Sequence, residues 1–171
     1  MSRSNVIFIL SLILFCFSCK STKESGSSKQ PDKGSGRGKV LSALMVNELS
    51  IERLPHYNAV GEKWDAYAPF MENPDIYLTI KWLNNEIYRS VTYEEYWSDS
   101  PLAITQSVPF EIKPFDQNMI IEIFDEDGLT ADDNMAVFNF LPLDYKNKSE
   151  VYLTSQDGRS AVKLTLQWIY K

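Results

Sequence analysis

The sequence predicts an all-β protein, an eight-stranded antiparallel β-sandwich, and three observations carry that prediction. Apolar residues recur at every second position in most segments after residue 75, the spacing of a half-buried strand. Clusters of Gly, Pro, Asn and Asp punctuate those segments at short intervals. No stretch combines a 3.6-residue apolar period with capping residues at its ends. Strands without helices, joined by short connections, bury their apolar faces by packing sheet on sheet.

The strands begin late in the chain. Residues 1–19 are read as a signal peptide: Arg3 is the positive flank, and Val6 to Phe17 is an apolar run interrupted only by Ser11. Twelve residues are too few to span a bilayer and suit the apolar core of a signal. Ser18-Cys19-Lys20 follows, and the arrangement resembles a bacterial, Bacteroidota-like lipoprotein signal. In such signals the cysteine after the cleavage site carries the lipid, here Cys19. Cys16 stands where the usual pattern has Leu, and an ordinary secretion signal and an uncleaved anchor are the alternatives. Residues 20–39 form a different kind of chain, with no large apolar residue, four of the seven glycines, and six basic against two acidic residues. Such a stretch cannot bury surface and reads as a flexible tether. Its basic character suits either anionic headgroups beside a lipid anchor or plain solvation. The resemblance places the protein in the cell envelope, on the periplasmic or surface face of an outer membrane.

Residues 40–171 are read as one domain. Val40 to Leu54 fits a strand through Leu41, Ala43, Met45, Leu49 and Ile51, although Leu41, Leu44, Met45 and Leu49 also suit a helix. His56 to Pro74 reads as a long ordered loop rich in rings (Tyr57, Trp64, Tyr67, Phe70). Ile76, Leu78, Ile80 and Trp82 alternate with Tyr77, Thr79 and Lys81 in a half-buried strand. Asn84-Asn85 supplies a turn, and Glu86 to Tyr93 returns as a hairpin partner. Leu102 to Ile112 and Asn118 to Asp125 are two more strands flanking a Lys113-Pro114 corner. Asn134 to Leu141 and Glu150 to Ser155 follow. The last strand alternates Val162, Leu164, Leu166, Trp168 and Tyr170 with polar neighbours.

Between two of these strands lies the most charged loop. Asp125, Asp127 and Asp133 form Asp-x-Asp-x5-Asp after the run Ile120 to Phe124. Side chains of an extended chain repeat every two residues, so Asp125 and Asp127 point the same way. The next five residues, with Gly128 among them, are enough to bring Asp133 back beside them. Carboxylates held at 4 Å repel by about 1 kcal/mol per pair even in bulk water. A cation compensates, and an oxygen-only donor set suits Ca²⁺; the alternative is a solvated acidic loop tip. An EF-hand is excluded: counting from Asp125, positions 5, 6 and 12 are Leu129, Thr130 and Ala136, none of which supplies the ligand, the glycine or the glutamate needed.

The order of elements and these acids resemble a C2 domain, an eight-stranded Greek-key sandwich whose loops at one end hold Ca²⁺ with aspartates. Asp125, Asp127 and Asp133 match that family's later loop. Asp75-Ile76-Tyr77-Leu78 is similar to the end of its earlier loop, with Ile76 where Pro is common. Asp65 is the counterpart of the aspartate opening that loop, at a wider spacing from Asp75 than usual. The resemblance therefore implies a Ca²⁺ site of Asp65, Asp75, Asp125, Asp127 and Asp133, engaging phospholipid headgroups or another surface partner. Apolar tips beside the acids, Trp64, Tyr67 and Leu129, are candidates for membrane or partner contact. They are equally candidates for packing down to hold a long loop in place, the favoured role for Trp64 and Phe70. The other readings are a protein- or glycan-binding sandwich that Ca²⁺ only stiffens, and a Ca²⁺-free structural lipoprotein.

Composition removes other classes. From Val40 onward there are 10 Lys and Arg against 21 Asp and Glu, a net charge of −11 that repels nucleic acid. His56 is the sole histidine and both cysteines precede residue 20. No disulfide, serine-based or phosphate-cradling motif is therefore available to the domain, and the expectation is a binding module rather than an enzyme.

Overall fold

The computed structural model describes residues 38–64, 73–94, 96, 100–128 and 131–171. Gly38–Lys171 forms a single compact unit. Among the described residues nine strands pair antiparallel throughout: β1 (Leu41–Arg53), β2 (Ile76–Trp82), β3 (Asn85–Arg89), β4 (Leu102–Ile104), β5 (Phe110–Ile112), β6 (Met119–Asp125), β7 (Asp133–Phe140), β8 (Glu150–Thr154) and β9 (Ala161–Tyr170). One sheet runs β4-β1-β9-β8, with β5 on the same edge of β1 as β4; the other runs β3-β2-β6-β7. The chain crosses between sheets after β1, β3, β5 and β7, which gives the expected sandwich.

The core lies between the two inner faces. Ile76, Leu78 and Ile80 of β2, Met119, Ile121 and Ile123 of β6, and Phe138 and Phe140 of β7 meet Leu44, Val46, Leu49 and Ile51 of β1 and Val162, Leu164 and Leu166 of β9. Two strands differ from the sequence reading. In β1 the inward residues are Leu44 and Val46, then Leu49 and Ile51, while Met45 faces outward. Register shifts at Leu41/Ala43 and Val46/Glu48 move the inward set by one residue. The single strand expected over Leu102 to Ile112 is two short ones, β4 and β5, because the chain leaves the edge of β1 between Thr105 and Pro109. The hairpin turn falls on Leu83-Asn84 rather than Asn84-Asn85, with Trp82 opposite Asn85 and Leu83 at φ 54.

The ends of the sandwich are distinct. Val40 N–H donates to the Lys171 carbonyl at 2.8 Å and Lys171 N–H returns to Val40 at 2.9 Å, so β1 begins and β9 finishes at one end. After β7 a 3-10 turn (Pro142–Tyr145) puts Tyr145 against Phe140, with ring centroids 5.7 Å apart. The residues beyond it reach the same end of β9: Trp168 Nε1 donates to Lys148 O and Tyr170 Oη to Asn147 Oδ1. The far ends of β2 and β6, with Asp75 and Asp125, are therefore opposite that end.

Candidate metal centre

β6 alternates Met119, Ile121, Ile123 and Asp125 toward the core, so Asp125 continues an apolar row to the rim of the sandwich and is only 1% exposed. A carboxylate so enclosed needs donors, and the Asp75 backbone N–H supplies one to its Oδ1 at 2.9 Å. The Glu126 N–H donates in turn to the Asp75 carbonyl at 2.7 Å, which ties the approach to β2 against the exit from β6. On the other side Asp125 stands opposite Asp133, the first residue of β7. Asp125 and Asp133 thus share the last rung of β6 and β7, Asp75 immediately precedes Ile76, the β2 partner of Asp125, and Asp127 lies partly buried two residues beyond β6.

The side chains do not converge as closely as the backbone. Among the described residues no three His, Cys, Asp or Glu side chains form a group able to hold a metal ion. Neighbouring acids that the sequence reading passed over are drawn to local donors instead. Tyr77 Oη donates to Asp132 Oδ2. Glu126 accepts from Thr92 Oγ1 and pairs with Arg89 at 3.5 Å. Arg89 also lies over the Tyr77 ring at 3.8 Å. The signal for these partners was the Asp132-Asp133 doublet and the acid between Asp125 and Asp127. The donors come from β2, β3 and the chain after β3, and only the strand register reveals them.

The remaining candidates divide in two. Trp64 takes the packing role: it is 8% exposed, joins the core cluster, and its Nε1 donates to Pro55 O at 3.0 Å. Asp65, Tyr67, Phe70, Leu129 and Cys19, with the stretch 20–37, lie outside the described residues. The described part of the loop after β1 turns back through a Tyr57–Lys63 bridge, with Gly61 at φ 85, and exposes Tyr57 and Val60. Arg159 in the β8–β9 turn fastens it, donating to the Tyr57 and Asn58 carbonyls while its Nε bonds Asp157 at 2.8 Å. Hydrogen bonds from Ser155 and Arg159 lower the Asp157 carboxyl to about 2.

No family model and no curated protein matches the sequence. Solved structures do match. The chain superposes on a structure of the two C2 domains of Extended-Synaptotagmin 2, with a TM-score of 0.51 and 18% identity, over 88% of this chain and 49% of that one. A longer form of the same protein, with its SMP domain and both C2 domains, gives 0.50 and 18%, over 77% and 28%. Human GIVD cytosolic phospholipase A2, in complex with an inhibitor and terbium chloride, gives 0.50 and 15%, over 77% and 18%. The chain spans under half the length of each of these three chains. Two antiparallel sheets in this order, together with these superpositions, establish that the chain is built on the C2-type β-sandwich fold.

Proposed function

We propose that the protein is a Ca²⁺-binding, C2-like module whose acidic end engages phospholipid headgroups, held at the cell envelope by a lipid on Cys19. The observation that carries the reading is the pairing of Asp125 with Asp133 on one rung at the end of the sandwich, with the Asp75 backbone N–H bonded to Asp125 Oδ1 beside it. Those donors fit a hard divalent cation: all are carboxylate oxygens, with Asp127 two residues on and no sulfur or imidazole among them. Asp75, Asp125, Asp127 and Asp133 would hold the ion, with Asp65 as the fifth ligand implied by the resemblance. Bound Ca²⁺ would neutralise the loop end of a domain carrying a charge of −11 and so admit an anionic headgroup. The reading requires Asp133 and Asp127 to swing toward Asp125, since the described side chains form no group of three.

An ion that binds only the folded state stabilises it by mass action, by about 2.7 kcal/mol at a hundredfold excess over Kd. Residues 38–171 are expected to melt on the order of 10 °C higher in millimolar Ca²⁺ than in chelator. Asp127→Asn, whose side chain is partly exposed, is expected to lose most of that gain and still fold. Equal melting of both proteins in both buffers overturns the metal site. Sedimentation with phosphatidylserine vesicles, with and without Ca²⁺, then tests the headgroup. A normal thermal shift without sedimentation retains the ion and removes the lipid.

A further inference from the structure

The outer face of the β4-β1-β9 sheet carries a groove of about 430 Å³ that the acidic end does not use. It exists because β4 and β5 pair with β1 at separate places. Leu49–Ile51 takes β4, Leu44–Val46 takes β5, and the chain from Thr105 to Pro109 bows off the edge between them. Ser107 at φ 59 lies in that bow, and Tyr88 Oη pins it from the other sheet through the Gln106 carbonyl at 2.9 Å. Ala103 and Val108 give the groove apolar surface, and Glu48 and Glu52 stand along its wall.

Its charge is unbalanced. Glu48 accepts from Thr165 Oγ1 at 2.9 Å and Glu52 from Ser50 Oγ, yet neither has an ion-pair partner among the described residues. The lysine on the lining, Lys163, is already engaged: its Nζ is 2.8 Å from Glu150 and lies 5.3 Å from the Tyr152 ring centroid. Two carboxylates with hydroxyl partners beside an apolar floor complement a cation on an aliphatic stem. Glu48 and Glu52 are four residues apart on one strand, about 13 Å in an extended chain. An extended peptide repeats that spacing with basic residues at i and i+4, and its residue i+2 falls on the same side, between them.

We propose that this groove binds an extended basic segment of a partner protein, with Lys or Arg at i and i+4 on Glu48 and Glu52 and an apolar residue at i+2 over Ala103 and Val108. The site is independent of Ca²⁺ and of the loop end. The test is an NMR titration of the full ¹⁵N-labelled chain in non-ionic detergent with acetyl-Lys-Ser-Leu-Ser-Lys-amide, run in chelator. Amide shifts are expected at Glu48, Ser50, Glu52, Ala103, Thr105 and Val108. Affinity should fall at least about tenfold in Glu48→Gln/Glu52→Gln and weaken as salt rises. Both side chains reach solvent, so the variant should keep the wild-type spectrum elsewhere; the single Glu48→Gln, at the more exposed site, is the fallback if it does not. Three results overturn the proposal. One is unchanged affinity in a folded variant. Another is a set of shifts centred on Asp127 and Asp133 instead, which would mark general attraction to negative charge. The third is the same set of shifts when the protein is concentrated without peptide, which would assign the groove to a second copy.

Discussion

Tyr77 shows how one side chain connects the loop after β6 to the sheet beneath it. It points to the outer face of β2 and yet is only 4% exposed, because Phe124 stacks on it at 5.1 Å and Arg89 covers it. Burial pushes its phenol up to about 12; the bond to Asp132 adds to the shift and the Arg89 charge opposes it. The folded state therefore keeps the proton through a range in which an unfolded tyrosine, at about 10, has lost it. Above pH 10 the unfolded chain binds fewer protons than the folded one, so stability falls as pH rises from 10 toward 12. Tyr77→Phe is expected to cost about 1 kcal/mol at pH 7 through the lost hydrogen bond. The gap between wild type and variant should narrow in urea denaturation at pH 11; a constant gap would show that Tyr77 titrates normally. At this scale the return of Asp133 beside Asp125 was legible, because the eight-residue spacing between them leaves room for one turn, whereas Asp75 was indicated by the family resemblance alone. The Tyr77–Asp132 and Arg89–Glu126 contacts were not, since each depends on which strands become neighbours.

The strands themselves were legible wherever alternation ran unbroken, as in β2, β6 and β9. They were misread where a bulge intervened. In β1, one residue inserted near Asn47 returns Leu49 and Ile51 to the core after Leu44 and Val46, and no local composition announces it. The β2–β3 hairpin has a register shift of its own between Ile80 and Lys81, which moves the turn back onto Leu83-Asn84. A two-residue hairpin favours turns with positive φ at the first central position, a place suited to glycine. Leu83 occupies it at φ 54 with its side chain 69% exposed, so it bears the conformational cost and buries little in return. Leu83→Gly is expected to raise stability by about 0.5–1 kcal/mol, read as a higher urea midpoint at unchanged slope. A fall in the midpoint would show that the leucine makes contacts that outweigh its backbone strain.

Among the described residues one apolar interior holds the fold together. The sequence contains two cysteines, Cys16 and Cys19, both ahead of the compact unit Gly38–Lys171, so no disulfide braces the sandwich. The two sheets are held face to face by a single cluster to which both contribute, and Phe138 lies deep within it at 1% exposure, opposite Ile121. Removing its ring leaves a cavity that the surrounding strands fill only in part, because the regular pairing with β6 from Met119/Phe140 to Ile123/Ala136 fixes β7 in place and limits collapse. Phe138→Ala is expected to cost about 3–5 kcal/mol. For a domain of this class that is a large fraction of a total of roughly 5–15 kcal/mol. Urea denaturation in the presence and absence of reductant checks both halves of the argument. The wild-type midpoint should ignore reductant, and the variant should lose stability by the stated amount in either buffer. A reductant-sensitive midpoint would mean that the N-terminal cysteines brace the fold after all, and a loss under about 1 kcal/mol would mean that the two sheets are held by something other than this core.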